Sequence, residues 1–63
     1  MFYILVYISG GCLYHLELFD DLDTANQAFE NIFEEEVLSD EDALLLFEAQ
    51  IDKEPVRIRF FGG

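Results

Sequence analysis

The chain has few basic residues, and none over most of its length. Three of its 63 residues are Lys or Arg and the first of these is Lys53, whereas fourteen are Asp or Glu, so the formal net charge is -11 at pH 7. A surface of this sign is repelled by phosphate and by anionic lipid, and we therefore expect no direct binding to nucleic acid or to a membrane. The partner that this charge favours is a basic protein.

Cysteine and long apolar segments are also scarce. Cys12 is the single cysteine, which excludes an intrachain disulfide and favours a cytoplasmic location. The apolar run over residues 2–8 is much shorter than the ~20 residues of a membrane span, and no basic region of a signal peptide precedes it. Because 52% of the residues are hydrophobic, disorder is not expected. We predict one folded domain over 1–63, close to the size at which a single core is just sufficient.

No pattern of catalytic or metal-binding residues is present. Cys12 and His15 lie three residues apart on a predicted strand, which places them on opposite faces. The acidic segments 20–23 and 40–42 lack the alternating ligands and the glycine of a calcium-binding EF-hand loop. No glycine-rich phosphate loop precedes a helix. We expect no enzymatic activity, no metal and no cofactor.

The pattern of apolar residues and turns predicts the element order ββαββ. Segments 2–8, 12–19, 43–51 and 56–61 have strand character, and the turn at 9–11 makes the first two a hairpin. Asp21 is the predicted N-cap of a helix in which apolar residues recur at helical spacing. The predicted fold class is α+β, a four-stranded, mainly antiparallel sheet with one helix packed on one face and with the first strand central.

The sheet has apolar residues on both faces, and one helix covers one face. We expect the helix to cover the face that includes Phe2, Ile4 and Val6. The other face then exposes a contiguous apolar area that predicts a homodimer, formed by Tyr3, Leu5, Tyr7, Leu13, Leu44, Leu46 and Phe61. The alternative is a one-residue error in strand register, which moves side chains to the opposite face.

The acidic residues are concentrated in the middle of the chain. Ten of them form the predicted acidic face: Asp20, Asp21, Asp23, Glu30, Glu34, Glu35, Glu36, Asp40, Glu41 and Asp42. Three glutamates at 34–36 lie in the last helical turns, where the helix dipole favours cations, and Glu30 and Glu34 are a like-charge pair. Either this is a solvated surface or it is an electrostatic binding face.

In its small size, its acidic face and its lack of catalytic residues, the chain resembles phage-encoded anti-defence proteins, including anti-CRISPR proteins and other DNA mimics. The resemblance implies an inhibitor whose carboxylates occupy the basic nucleic-acid-binding surface of a host nuclease or CRISPR-type defence complex, in the cytoplasm of the host cell if the protein is viral. A second hypothesis is a regulatory interaction module that binds a partner through the apolar sheet face.

The final Gly62-Gly63 pair, after a ββαββ order, is similar to the β-grasp carriers, which comprise ubiquitin-like modifiers and small sulfur carriers. That resemblance implies a third hypothesis, in which the last glycine is adenylated and then thiolated or conjugated.

Overall fold

A computed structural model of the chain describes residues 1–35, 38 and 41–62. Four strands and one helix follow in the order β1 (Phe2–Ser9), β2 (Cys12–Phe19), α1 (Leu22–Glu35), β3 (Ala43–Ala49) and β4 (Val56–Gly62). The strands form one open antiparallel sheet in the order β2-β1-β3-β4. The predicted fold class and the central position of the first strand are confirmed. The third strand ends two residues earlier than predicted, and the first and fourth strands each end one residue later.

A two-glycine turn joins β1 to β2. Gly10 and Gly11 have φ angles of 60° and 82°, a left-handed pair typical of the hairpin turn whose twist matches the flanking strands. Tyr14 is an extra residue in β2, because Tyr7 pairs with His15 whereas Ile8 pairs with Leu13. This β-bulge changes the alternation of side chains along β2.

The bulge corrects one prediction about the potential nucleophile and base. Cys12 pairs with Ser9 and His15 pairs with Tyr7, and both β1 residues lie on the same sheet face. Cys12 and His15 therefore share a face instead of lying on opposite ones. Same-face neighbours are about 7 Å apart along a strand, which is longer than a hydrogen bond.

The helix begins at the predicted cap. The Asp21 carboxylate accepts hydrogen bonds from the backbone N–H of Thr24 and from its hydroxyl, both at 3.0 Å, and the Asp21 carbonyl accepts one from the N–H of Ala25. One side of α1 then packs on β1, β3 and β2, burying Ala25 and Phe29. The capping residue thus sets where the helix starts, and the spacing of its apolar residues sets which side it buries.

The face of the sheet that the helix covers is the opposite of the predicted one. Tyr3, Leu5, Tyr7, Leu44 and Leu46 form the core with Ala25 and Phe29, and Phe61 packs against this cluster. Leu5, Leu44 and Leu46 are completely inaccessible to solvent. Five of the seven residues assigned to a dimer interface are therefore core residues beneath the helix, and a sixth, Phe61, packs against that core. The exception is Leu13, which pairs with Ile8 on the uncovered face.

Polar residues at the border of the sheet explain this choice of face. Arg59 of β4 is opposite Leu46 and so lies on the covered side. Its guanidinium donates hydrogen bonds to Asn26 at 3.3 Å and to Glu30 at 3.4 Å, and it lies 4.3 Å above the Phe29 ring centre. A helix with polar flanks therefore finds polar partners on this face, whereas the opposite face is almost wholly apolar.

The last described glycine has a steric role. Gly62 has a φ of 75°, and a Cβ added to it would overlap the backbone carbonyl of Asp42. We expect Gly62→Ala to lower the free energy of unfolding by about 3 kcal/mol or more, because left-handed strain of about 1–2 kcal/mol adds to the overlap. Chemical denaturation at fixed protein concentration measures this loss.

Gly11→Ala is the matched control for this prediction. Gly11 has a similar φ of 82°, but no heavy atom lies within 4 Å of an added Cβ. This variant should therefore lose about 1–2 kcal/mol, the cost of left-handed strain alone. Equal losses in the two variants would contradict the steric role of Gly62.

Candidate interaction surfaces

Three of the predicted acidic-face residues have structural roles. Asp21 caps the helix, as described above. Asp42 is 7% exposed, and its carboxylate accepts a hydrogen bond of 3.2 Å from the N–H of Gly10, connecting the β1–β2 turn to the start of β3. Glu30 accepts a hydrogen bond from Arg59. The exposed location predicted for Asp42 is wrong, because this carboxylate satisfies a backbone donor across 32 residues of sequence.

Five acidic residues form the acidic helix layer, namely Asp20, Asp23, Glu30, Glu34 and Glu35, all of them exposed. No basic residue occurs in the last turn of α1 to offset the two glutamates there. Glu41 is also exposed, whereas Glu36 and Asp40 lie outside the described residues. Of the eight described residues of the predicted acidic face, seven are therefore exposed and Asp42 is buried.

The uncovered side of the sheet is the second surface. Its side chains come from all four strands, and they form the open sheet face: Phe2, Ile4, Val6, Ile8, Leu13, Leu16, Leu18, Leu45, Phe47, Arg57 and Phe60. Leu16 is 55% exposed, Leu18 is 61% exposed and Phe60 is 55% exposed. Monomeric soluble proteins rarely leave an apolar area of this extent in water.

Charge is almost absent from the open sheet face. Glu17 and Glu48 are the acidic residues of the four described strands, and they pair with Leu5 and Tyr3 on the helix side. Arg57 is the charged residue on the open side, and its guanidinium lies 4.1 Å above the ring centre of Phe60. The carboxylates of the strands therefore lie on the helix side, away from the open sheet face.

A shallow groove lies between β2 and the helix. Its volume is about 280 Å³, and it is lined by Tyr7, Tyr14, His15, Glu17, Ala28, Asn31 and Ile32. The rings of Tyr7 and Tyr14 lie 5.3 Å apart, and His15 Nε2 lies 2.9 Å from Glu17 Oε1. Sequence reasoning missed this groove, since it depends on the bulge at Tyr14 and on the packing of α1 beside β2.

The described residues contain no group of three or more His, Cys, Asp or Glu side chains arranged to hold a metal ion. Within the same residues, no helix has the length and apolar character needed to cross a bilayer.

Gly62 of β4 is paired with Ala43 of β3, so the tail that a β-grasp carrier presents would have to leave the sheet at this residue.

Comparison with known proteins provides no relative for this chain. No protein-family model matches it, and neither a curated protein nor a solved structure shows significant similarity. The function of the protein must therefore be inferred from its two surfaces.

Measurements of stability distinguish the roles of Asp20 and Asp21 at the start of the helix. We expect Asp21→Ala to lower the free energy of unfolding by about 1 kcal/mol, because two hydrogen bonds to Thr24 are lost. Asp20→Ala, an exposed neighbour with the same change of charge, should stay within about 0.5 kcal/mol of wild type. Thermal or denaturant unfolding measures both values, and a larger loss for Asp20→Ala would contradict the capping assignment.

Proposed function

We propose that this protein is a non-catalytic binding protein whose acidic helix layer binds the basic, nucleic-acid-binding surface of another protein. The observation that carries the proposal is the segregation of charge. The carboxylates of Asp23, Glu34 and Glu35 are exposed on α1 and that of Asp20 is exposed just before it, and the basic residue that reaches the helix from β4, Arg59, bonds to Glu30.

Electrostatic attraction between carboxylates and basic side chains explains how the acidic helix layer would bind. A protein groove that binds phosphates with Lys and Arg attracts carboxylates held on a folded scaffold, and association of this kind is fast and sensitive to salt. Occupation of the groove excludes the nucleic acid. In the narrower form that the anti-defence resemblance suggests, the target is a host nuclease or a CRISPR-type complex.

The spacing of the carboxylates favours general charge attraction over a copy of the phosphate backbone. Along α1, Asp23, Glu30 and Glu34 are seven and then four residues apart, which corresponds to gaps of about 10 Å and about 6 Å along the helix axis. Each strand of a DNA duplex carries a phosphate about every 3.4 Å along its axis. The proposed target surface therefore has a few separated cationic positions opposite the helix, and it need not recognise DNA geometry.

Reversal of one charge on the helix tests the proposal. The immobilised protein is exposed to a bacterial lysate at low salt, the retained proteins are identified, and the dissociation constant of the purified partner is then measured. We expect Glu34→Lys to weaken binding roughly five- to thirtyfold, because one attraction becomes a repulsion. The fold should be retained, since a cation in the last helical turn is favourable.

Glu54→Lys is the matched control. Glu54 is also exposed but lies in the β3–β4 turn, and either variant changes the net charge from -11 to -9. This control should bind as wild type does, apart from a small general effect of net charge. Equal weakening by both variants, or binding unaffected when salt shortens the screening length from ~10 Å to ~3 Å, would reject the acidic helix layer as the binding surface.

A second candidate function is favoured by the uncovered apolar area. Here the protein is a regulatory interaction module that binds a different protein through the open sheet face. Such binding would tolerate salt and would be lost on Leu16→Gln, whereas Glu34→Lys would leave it unchanged. The residues that test this candidate are those of the uncovered face, because Leu44 and Leu46 belong to the core.

A further inference from the structure

We infer that the open sheet face is covered by a second copy of this chain, in a closed homodimer whose two sheets pack face to face and whose helices lie on the two outer sides. This inference does not depend on what the acidic helix layer binds. It corrects the predicted homodimer by assigning the interface to the opposite set of side chains.

The area of the open sheet face suits a stable dimer. Four strands about 4.8 Å apart and seven or eight residues long give a face of roughly 19 by 24 Å before its corrugation is counted. The flat outline of this face is about 460 Å². Side chains that stand on it, such as Leu16, Leu18 and Phe60, are each more than half exposed and add to this area, so the area buried per copy approaches the ~800 Å² per partner of a standard specific interface. An isologous pair uses the whole face and leaves no apolar surface free for further association.

The position of the carboxylates permits two strongly acidic chains to meet here. The acidic helix layer lies on the far side of the sheet, and stacked layers are each about 10 Å apart. The acidic layers of the two copies are thus separated by roughly 30 Å, several times the ~8 Å screening length at physiological ionic strength. Contact through the helices would instead bring the carboxylates of both copies together.

The chemistry of the face also favours a copy of itself over a basic partner. The open sheet face has no carboxylate from the strands with which a Lys-rich or Arg-rich protein could pair, and such a partner is attracted to the helix side. An apolar, almost uncharged surface matches the open sheet face best, and this chain carries one such surface in every copy.

The small core supplies an independent reason for a permanent partner. Leu5, Leu44 and Leu46 are the large side chains that are fully buried among the described residues. Domains of about 60 residues bury only ~60% of the surface of their unfolded chain and are correspondingly marginal in stability. A second copy is present whenever the protein is made, so it stabilises the fold without a separate partner.

Mass measurement in solution, by sedimentation or light scattering over a wide concentration range, tests the inference. Wild type should have twice the 7.3 kDa mass of one chain. Leu16→Gln/Leu18→Gln should weaken the dimer at least ~100-fold, because the pair is largely exposed in one copy and buried only in the dimer. Circular dichroism then shows a folded monomer.

Ile51→Gln is the control for loss of an exposed apolar side chain. Ile51 is 85% exposed but lies in the β3–β4 turn, outside the open sheet face, so this variant should remain a dimer. If the double variant does not fold, the concentration dependence of wild-type unfolding decides, because a dimer melts at a higher temperature as concentration rises.

Three outcomes overturn the inference. They are a folded wild-type monomer with a melting temperature independent of concentration, an assembly larger than two copies, and a monomer whose open sheet face binds a different protein with loss of that binding in Leu16→Gln/Leu18→Gln. The last outcome supports the second candidate function. Failure of salt-sensitive binding by the helix would instead reject the proposed function and leave the dimer unaffected.

Discussion

The single helix is the constraint on which the rest of this structure depends. Its one apolar side, around Ala25 and Phe29, covers one face of a sheet that is apolar on both. Whichever face the helix covers becomes the core, and the other becomes an uncovered surface. Because a sheet of four short strands cannot bury its second face by itself, the choice made by the helix determines where the protein meets other molecules.

The same choice places two modes of binding, electrostatic and apolar, on opposite sides of the sheet. The helix side carries the exposed carboxylates, which act through the solvent and lose strength in salt. The open sheet face acts by burial of apolar area, which salt does not screen. Stacking two open faces places an acidic layer on each outer side, so a dimer would present its carboxylates twice without either surface interfering with the other.

A count of acidic residues overstates the acidic surface, because some carboxylates satisfy the backbone. Asp21 caps α1, and Asp42 accepts the N–H of Gly10 from a turn that is distant in sequence. The first role is visible in the sequence, since a cap acts on the residues that follow it. The second is not, because it requires two segments to be brought together by the pairing of β1 with β3.

The sequence by itself determined the element order, most strand boundaries, the helix cap and the central position of β1, because these follow from local turn residues and from the period of apolar positions. Tertiary structure alone decided which sheet face the helix covers. Every residue of β1 from Phe2 to Ile8 is apolar, so periodicity leaves the two faces equivalent. The bulge at Tyr14 and the contacts of Arg59 with Asn26, Phe29 and Glu30 remove this equivalence, and they exist only when distant segments are in contact.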